Sequence, residues 1–206
     1  MTNTVSKDDL DFLRDMADAG AHAPLLGGRF LAWWGAALSL AYGLHYLFAS
    51  ERISAAPEAI GYMWMGVITF ALAGYFLLGV LFPKDKPGSS SPGNKADIVW
   101  MAAGFSIFAF FMGAIPAAIS GAIPVDAFNF SLPLVFAVYA CSLMVTGSLA
   151  RNRTLGLAAW GAIVIVGITT FMTMQTEVYL VAMVGAFLCV FVPGVLLLKS
   201  EPKSVV

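Results

Sequence analysis

Residues 98–119 read IVWMAAGFSIFAFFMGAIPAAI, a run without Asp, Glu, Lys or Arg that is too long for the core helix of a small soluble domain. About 20 such residues in a helix cross the roughly 30 Å of hydrocarbon in a bilayer. A barrel strand does not fit, because the run is continuous and lacks in/out alternation, whereas a helix satisfies its own backbone hydrogen bonds in lipid. Five further blocks of the same kind surround it, namely Phe30–Phe48, Ile60–Phe82, Ser131–Ala150, Leu155–Met174 and Val178–Leu198. The expected fold class is an all-α integral membrane protein with six transmembrane helices arranged as three hairpins.

Composition agrees. Of 206 residues, 60% are hydrophobic and 11% charged, against about 45–50% and about 25% in soluble domains, and mean hydropathy is +0.85. The net charge of −1 hides an uneven distribution. Ten of the eleven Lys and Arg (Lys7, Arg14, Arg29, Lys84, Lys86, Lys95, Arg151, Arg153, Lys199 and Lys203) fall on one side of a six-span arrangement, and Arg52 alone falls on the other. The positive-inside rule makes the larger set cytoplasmic. Both termini are then expected in the cytoplasm, in a multi-pass membrane protein. Five or seven spans would spoil the separation. A cleavable signal peptide fits poorly, because the first apolar block follows an acidic segment.

The chain accordingly divides into an acidic cytoplasmic leader over 1–29, a transmembrane domain over 30–198 with a flexible Pro/Gly/Ser-rich linker at 83–97, and a cytoplasmic tail over 199–206. In the leader, Ser6-Lys-Asp-Asp9 resembles a capping box. Leu10, Leu13, Ala17 and Gly20 then mark one face of a short amphipathic helix, opposite Asp8, Asp11, Asp15 and Asp18. Its acidity is wrong for an anionic lipid surface. Docking on the bundle, contact with a protein partner and topology setting all stay open for it.

Trp33, Trp34, Trp100 and Trp160 sit in the first turns of odd-numbered spans, and Trp64 near the outer end of the second. Those depths suit interfacial anchors. Gly35, Ser39 and Gly43 recur every four residues, as do Gly113, Ala117 and Gly121, and such stripes of small residues let helices approach closely in lipid. Which surface each stripe meets stays open, whether another span or a second subunit. Trp34-Gly-Ala36 and Trp160-Gly-Ala162 are identical, with a looser version at Trp100. This is compatible with a threefold parallel repeat and equally with the abundance of Trp, Gly and Ala near membrane helix starts.

The chemistry-bearing residues argue mainly by exclusion. No Asp, Glu, Lys or Arg lies in mid-span, which lowers the case for an ion-coupled pump. The polar residues within the spans are hydroxyls: Ser39, Thr69, Ser106, Ser142, Thr146, Thr169, Thr170 and Thr173. They can line a narrow path or stitch helices together. Asp126 and Glu177 read as dipole-compensating groups at helix starts. Cys141 and Cys189 fall inside spans as small hydrophobes. His22 and His45 lie at opposite faces of the membrane and cannot converge on a metal or haem. No nucleophile–base pair, phosphate loop or basic run is present. Neither catalysis, a cofactor nor nucleic acid is expected, and the lipid bilayer is the expected surrounding, with a homo-oligomer or protein partner left open.

Ala23-Pro-Leu-Leu-Gly-Gly-Arg-Phe30 followed by Trp33-Trp-Gly35 resembles the entry into the first span of small uncharacterised six-span bacterial inner-membrane proteins. More distantly it is similar to the acetate/succinate uptake family, which opens with an Asn-Pro-Ala-Pro-Leu-Gly type of motif. Here Ala21-His22 stands for the first Asn-Pro and Leu26 is inserted, so the family's pore residues find no counterparts. Two functions remain in view: a passive small-solute or ion pathway, and a membrane-embedded structural or regulatory partner of another protein.

Overall fold

The computed structural model describes residues 27–56, 58–82 and 92–200, together with residue 10. The leader helix and His22 therefore lie outside the described residues, as do 83–91 of the linker and 201–206 of the tail. Among the described residues the structure is all-helical in class, 85% helix, with no strand. The helices are α1 (Gly28–Ala49), α2 (Ala59–Leu81), α3 (Pro92–Ile119), α4 (Ser131–Leu149), α5 (Arg153–Phe171) and α6 (Val178–Ser200), with a 3-10 turn at Val125–Phe130 leading into α4. Five segments, from Ala59–Leu81 to Val178–Ser200, are long and apolar enough to cross a membrane. The 22 residues of α1 match them in length, but Arg29, Trp33, Trp34, His45 and three tyrosine-like or smaller polar positions (Tyr42, Tyr46 and Ser39) dilute its apolar character.

Side-by-side packing follows the order α3, α4, α5, α6, α1, α2, so the first and last helices are neighbours and α2 and α3 stand at the ends of an arc. The interior is made by α1, α4, α5 and α6. Leu38 and Tyr42 from α1 meet Leu132, Phe136 and Ala140 from α4, Ala162 from α5, and Val178, Ala182 and Ala186 from α6. A second cluster toward the opposite end joins Leu143, Leu155, Ala159 and Leu197. By contrast, only 6% of the most apolar stretch of α2 and of α3 is buried, against 50% for the segment containing α4.

The α1–α6 contact is a backbone contact. A Cβ at Gly28 would strike the backbone of Leu198 and Gly194, one at Gly35 the backbone of Phe191, and one at Gly194 the backbone of Ala32. Gly43 lies farther along the same face, where a Cβ would come 3.0 Å from the Met183 sulfur. Glycines at such crossings let dispersion contacts form between main chains, the main source of helix association in lipid.

The second stripe is different. Beside Gly113 a Cβ would meet nothing within 4 Å among the described residues, and Ala117 is only half-buried. Gly121 lies beyond the end of α3 with φ +74°. Its N–H bonds the Ala118 carbonyl at 3.0 Å and that of Ala122 the Ala117 carbonyl at 2.8 Å, the double bond of a Schellman cap. Gly121 therefore terminates α3 and is no part of a packing stripe, because its left-handed backbone lies off the helix. The linker expectation also needs correction: α3 starts at Pro92, upstream of the apolar block. Proline suits a first helical turn, where its missing N–H would have no partner in any case.

Within α6, Phe187–Phe191 form a π turn. Pro193 follows at once, and in a regular α-helix its ring would press on the carbonyl four residues earlier, that of Cys189. The wider turn relieves that crowding.

The two glycine environments give a paired test. Gly35→Ala should lower stability by about 1–3 kcal/mol through overpacking, whereas Gly113→Ala should leave it unchanged or slightly raised. Thermal unfolding of both variants in one detergent measures this, and equal melting temperatures would contradict the backbone contact at Gly35.

Candidate functional site

The most elaborate polar arrangement lies at the His45 end of the bundle, away from the Arg151–Arg153 turn. Five segments converge there: the last turns of α1, the first turns of α2, the 3-10 turn, the residues after α5, and the start of α6. The Trp64 indole N–H donates to His45 Nδ1 at 3.0 Å. A ring nitrogen that accepts carries no proton, so a neutral His45 holds its proton on Nε2. The imidazole stacks on Tyr179, with ring centroids 3.6 Å apart and planes 23° apart. The Tyr179 hydroxyl donates to Asn129 Oδ1, and Asn129 Nδ2 donates to the Thr173 carbonyl at 2.9 Å.

Each link has a local cause. Asn129 is held by the 3-10 turn, and α5 stops at Phe171, short of the apolar block's end at Met174, in a series of turns that presents the Thr173 carbonyl. Trp64 also meets Tyr42 edge-on, with centroids 5.3 Å apart, and Tyr42 stacks toward Phe136 at 6.4 Å. The cluster thus ties peripheral α2 to the core. Chemically, it offers a hydrogen-bond donor at His45 Nε2 in an aromatic surrounding. Sequence spacing could not reveal it, since Asn129 and Tyr179 are 50 positions apart; the visible signal was only the density of Tyr, His and Trp at span ends.

Four of the five tryptophans have their rings against other helices. The Trp33 indole N–H donates to the Ala71 carbonyl of α2 at 2.9 Å, with its ring over Gly74. Trp34 packs on the core cluster, Trp64 bonds His45, and Trp100 lies against Tyr139 with centroids 5.9 Å apart. Trp160 alone among them has an exposed ring, at 61%. An amphipathic ring with one N–H joins helices as readily as it meets headgroups.

The span hydroxyls mostly turn back on their own helices. Ser39 donates to Gly35 O at 2.7 Å, Ser142 to Val138 O at 2.8 Å, Thr169 to Ile165 O at 2.7 Å and Thr173 to Thr169 O at 2.9 Å. Thr69, Ser106 and Thr170 do likewise. Thr146 differs: its buried hydroxyl has no partner among the described residues. Glu177 precedes α6 without a side-chain capping bond, so any effect on that helix is through the dipole. Among the described residues no three His, Cys, Asp or Glu side chains gather as a metal site would require, and Cys141 and Cys189 are free thiols.

Compared with known proteins, the chain matches no family model, no curated sequence and no solved structure. The cluster is open to a double-mutant cycle. Tyr179→Phe and Asn129→Leu should each cost about 1 kcal/mol, and the double variant should cost less than their sum by about 0.5–1 kcal/mol. Strict additivity in thermal or denaturant unfolding would show the pair to be uncoupled.

Proposed function

We propose that this chain crosses the bacterial inner membrane six times, with both termini cytoplasmic, and acts there as an embedded structural or regulatory partner of another membrane protein. The carrying observation is the contrast between its glycines. Gly28 and Gly35 of α1 and Gly194 of α6 sit where a neighbouring backbone crosses, whereas Gly61, Gly66 and Gly79 of α2 and Gly104 and Gly113 of α3 have nothing among the described residues within 4 Å of a Cβ position; Gly156 and Gly167 of α5 are open too, but on a helix packed between α4 and α6. Glycine within a helix costs about 0.5–1 kcal/mol relative to alanine, and in membranes close approach of a second helix compensates that cost. Open glycines on two barely buried helices therefore suit a helix from outside this chain.

The conduit alternative draws less support. Leu38, Phe136 and Leu143 fill the interior, and seven of the span hydroxyls are engaged with their own backbone. A pathway would have to run between chains.

A photocrosslinking residue placed at Phe70 in α2 or Phe108 in α3 should capture protein in native membranes, and one at exposed Phe171 or Leu157 of α5 should not. Capture at all four positions alike, or at none, would defeat the partner reading. Proteoliposomes that release water, glycerol or small anions faster than empty vesicles would favour the conduit. Tags at the two ends should report from the same compartment.

A further inference from the structure

We infer that the turn joining α4 to α5 binds the phosphate of an anionic phospholipid headgroup. The turn closes a groove of about 270 Å³ lined by Met144, Gly147, Ser148, Arg151, Asn152, Arg153 and Gly156. One wall is polar and doubly cationic. At Gly147 a Cβ would come 3.0 Å from the Gly156 nitrogen, so the two helices meet here backbone to backbone and the groove lies directly over their junction.

The local fold holds the cations at this place. Arg151 occupies the left-handed region at φ 49°, with its N–H on the Ser148 carbonyl at 3.3 Å and that of Asn152 on the Gly147 carbonyl at 2.8 Å. These bonds cover the terminal carbonyls of α4, whose partial negative charge would otherwise oppose an anion. Asn152 then caps α5, its Oδ1 accepting the Leu155 N–H at 3.2 Å. The first amides of α5 are among the orphan donors that every helix start carries. Neither Arg151 nor Arg153 is ion-paired with a described residue, so both guanidiniums can donate to phosphate oxygens.

A lipid, as opposed to a free phosphate, is favoured by what lies below. Arg153, Leu157, Trp160 and Val164 follow at helical spacing on one face of α5, and the last three are exposed at 72%, 61% and 60%. A headgroup at Arg153 would lay its acyl chain along that apolar track, with the indole at interfacial depth. Basic pockets of this kind between membrane helices suit anionic headgroups. The inference requires only that α5 lies in the bilayer, and so can fail while the partner reading stands.

The test is thermal unfolding of the purified full chain in a neutral detergent, titrated with phosphatidylglycerol, phosphatidylcholine, or inorganic phosphate at constant ionic strength. Phosphatidylglycerol should raise the melting temperature saturably and phosphatidylcholine should not. Arg153→Gln and Arg151→Gly should each increase the half-saturating lipid concentration about fivefold, and Lys199→Gln, a charge loss outside the groove, should leave it unchanged. Glycine suits the backbone at 151, and Arg153→Gln alters an exposed side chain, so either variant suffices if the other fails to fold. Equal stabilisation by the two lipids, or equal losses in Lys199→Gln and Arg153→Gln, would overturn the site. Saturable stabilisation by inorganic phosphate that matches phosphatidylglycerol and vanishes with Arg153→Gln would overturn the lipid assignment in favour of a free phosphorylated solute.

Discussion

Contact between two main chains, α1 against α6, organises this molecule. In lipid there is little gain in moving an apolar side chain from acyl tails to protein, so helices associate through close packing and dispersion. Gly28, Gly35 and Gly194 remove the side chains that would hold the first and last helices apart. Once those helices touch, the remaining order follows from short connections: α2 flanks α1 on one side, and α5, α4 and α3 follow α6 on the other. The arc is thus joined at its chain ends and extended at its middle.

Two consequences run outward from that joint. Tyr42 and Leu38, carried by α1, are pressed against Phe136 and Leu132 of α4, so the core forms across the arc as well as along it. At the His45 end, α1 delivers an imidazole to the gap between Trp64 and Tyr179, where one hydrogen bond and one ring stack link α2 to α6 through a single residue. Peripheral α2 thereby owes its place to two indoles, Trp33 on the Ala71 carbonyl and Trp64 on His45, more than to buried surface.

Helix positions were legible in the sequence because lipid imposes a length and an apolarity that few other environments demand. The block at Ser131–Ala150 and the helix Ser131–Leu149 differ by one residue. Less legible were features that depend on how helices meet. The spacing of Gly35 and Gly43 pointed to a packing face, but the equally regular Gly113 and Gly121 split between an open surface and a helix cap, since spacing alone does not report backbone conformation. Tryptophan depth suggested contact with headgroups, yet indole N–H groups at the same depth reached a carbonyl and an imidazole. The alliance of Asn129, Tyr179 and Thr173 was invisible because it joins segments distant in sequence through turns that carry no distinctive motif.

The π turn at Phe187–Phe191 acts as a phase adjuster. An extra residue in one turn rotates everything downstream about the helix axis by roughly 100° relative to an unbroken α-helix. Upstream of it, Val178, Ala182 and Ala186 look toward the core; downstream, Gly194 looks toward Ala32 and Leu197 toward Leu143 and Leu155. Loss of a single residue there would leave α6 as long and as greasy as before while swinging its final third away from α1, so the register of this helix is as much a determinant of assembly as its composition.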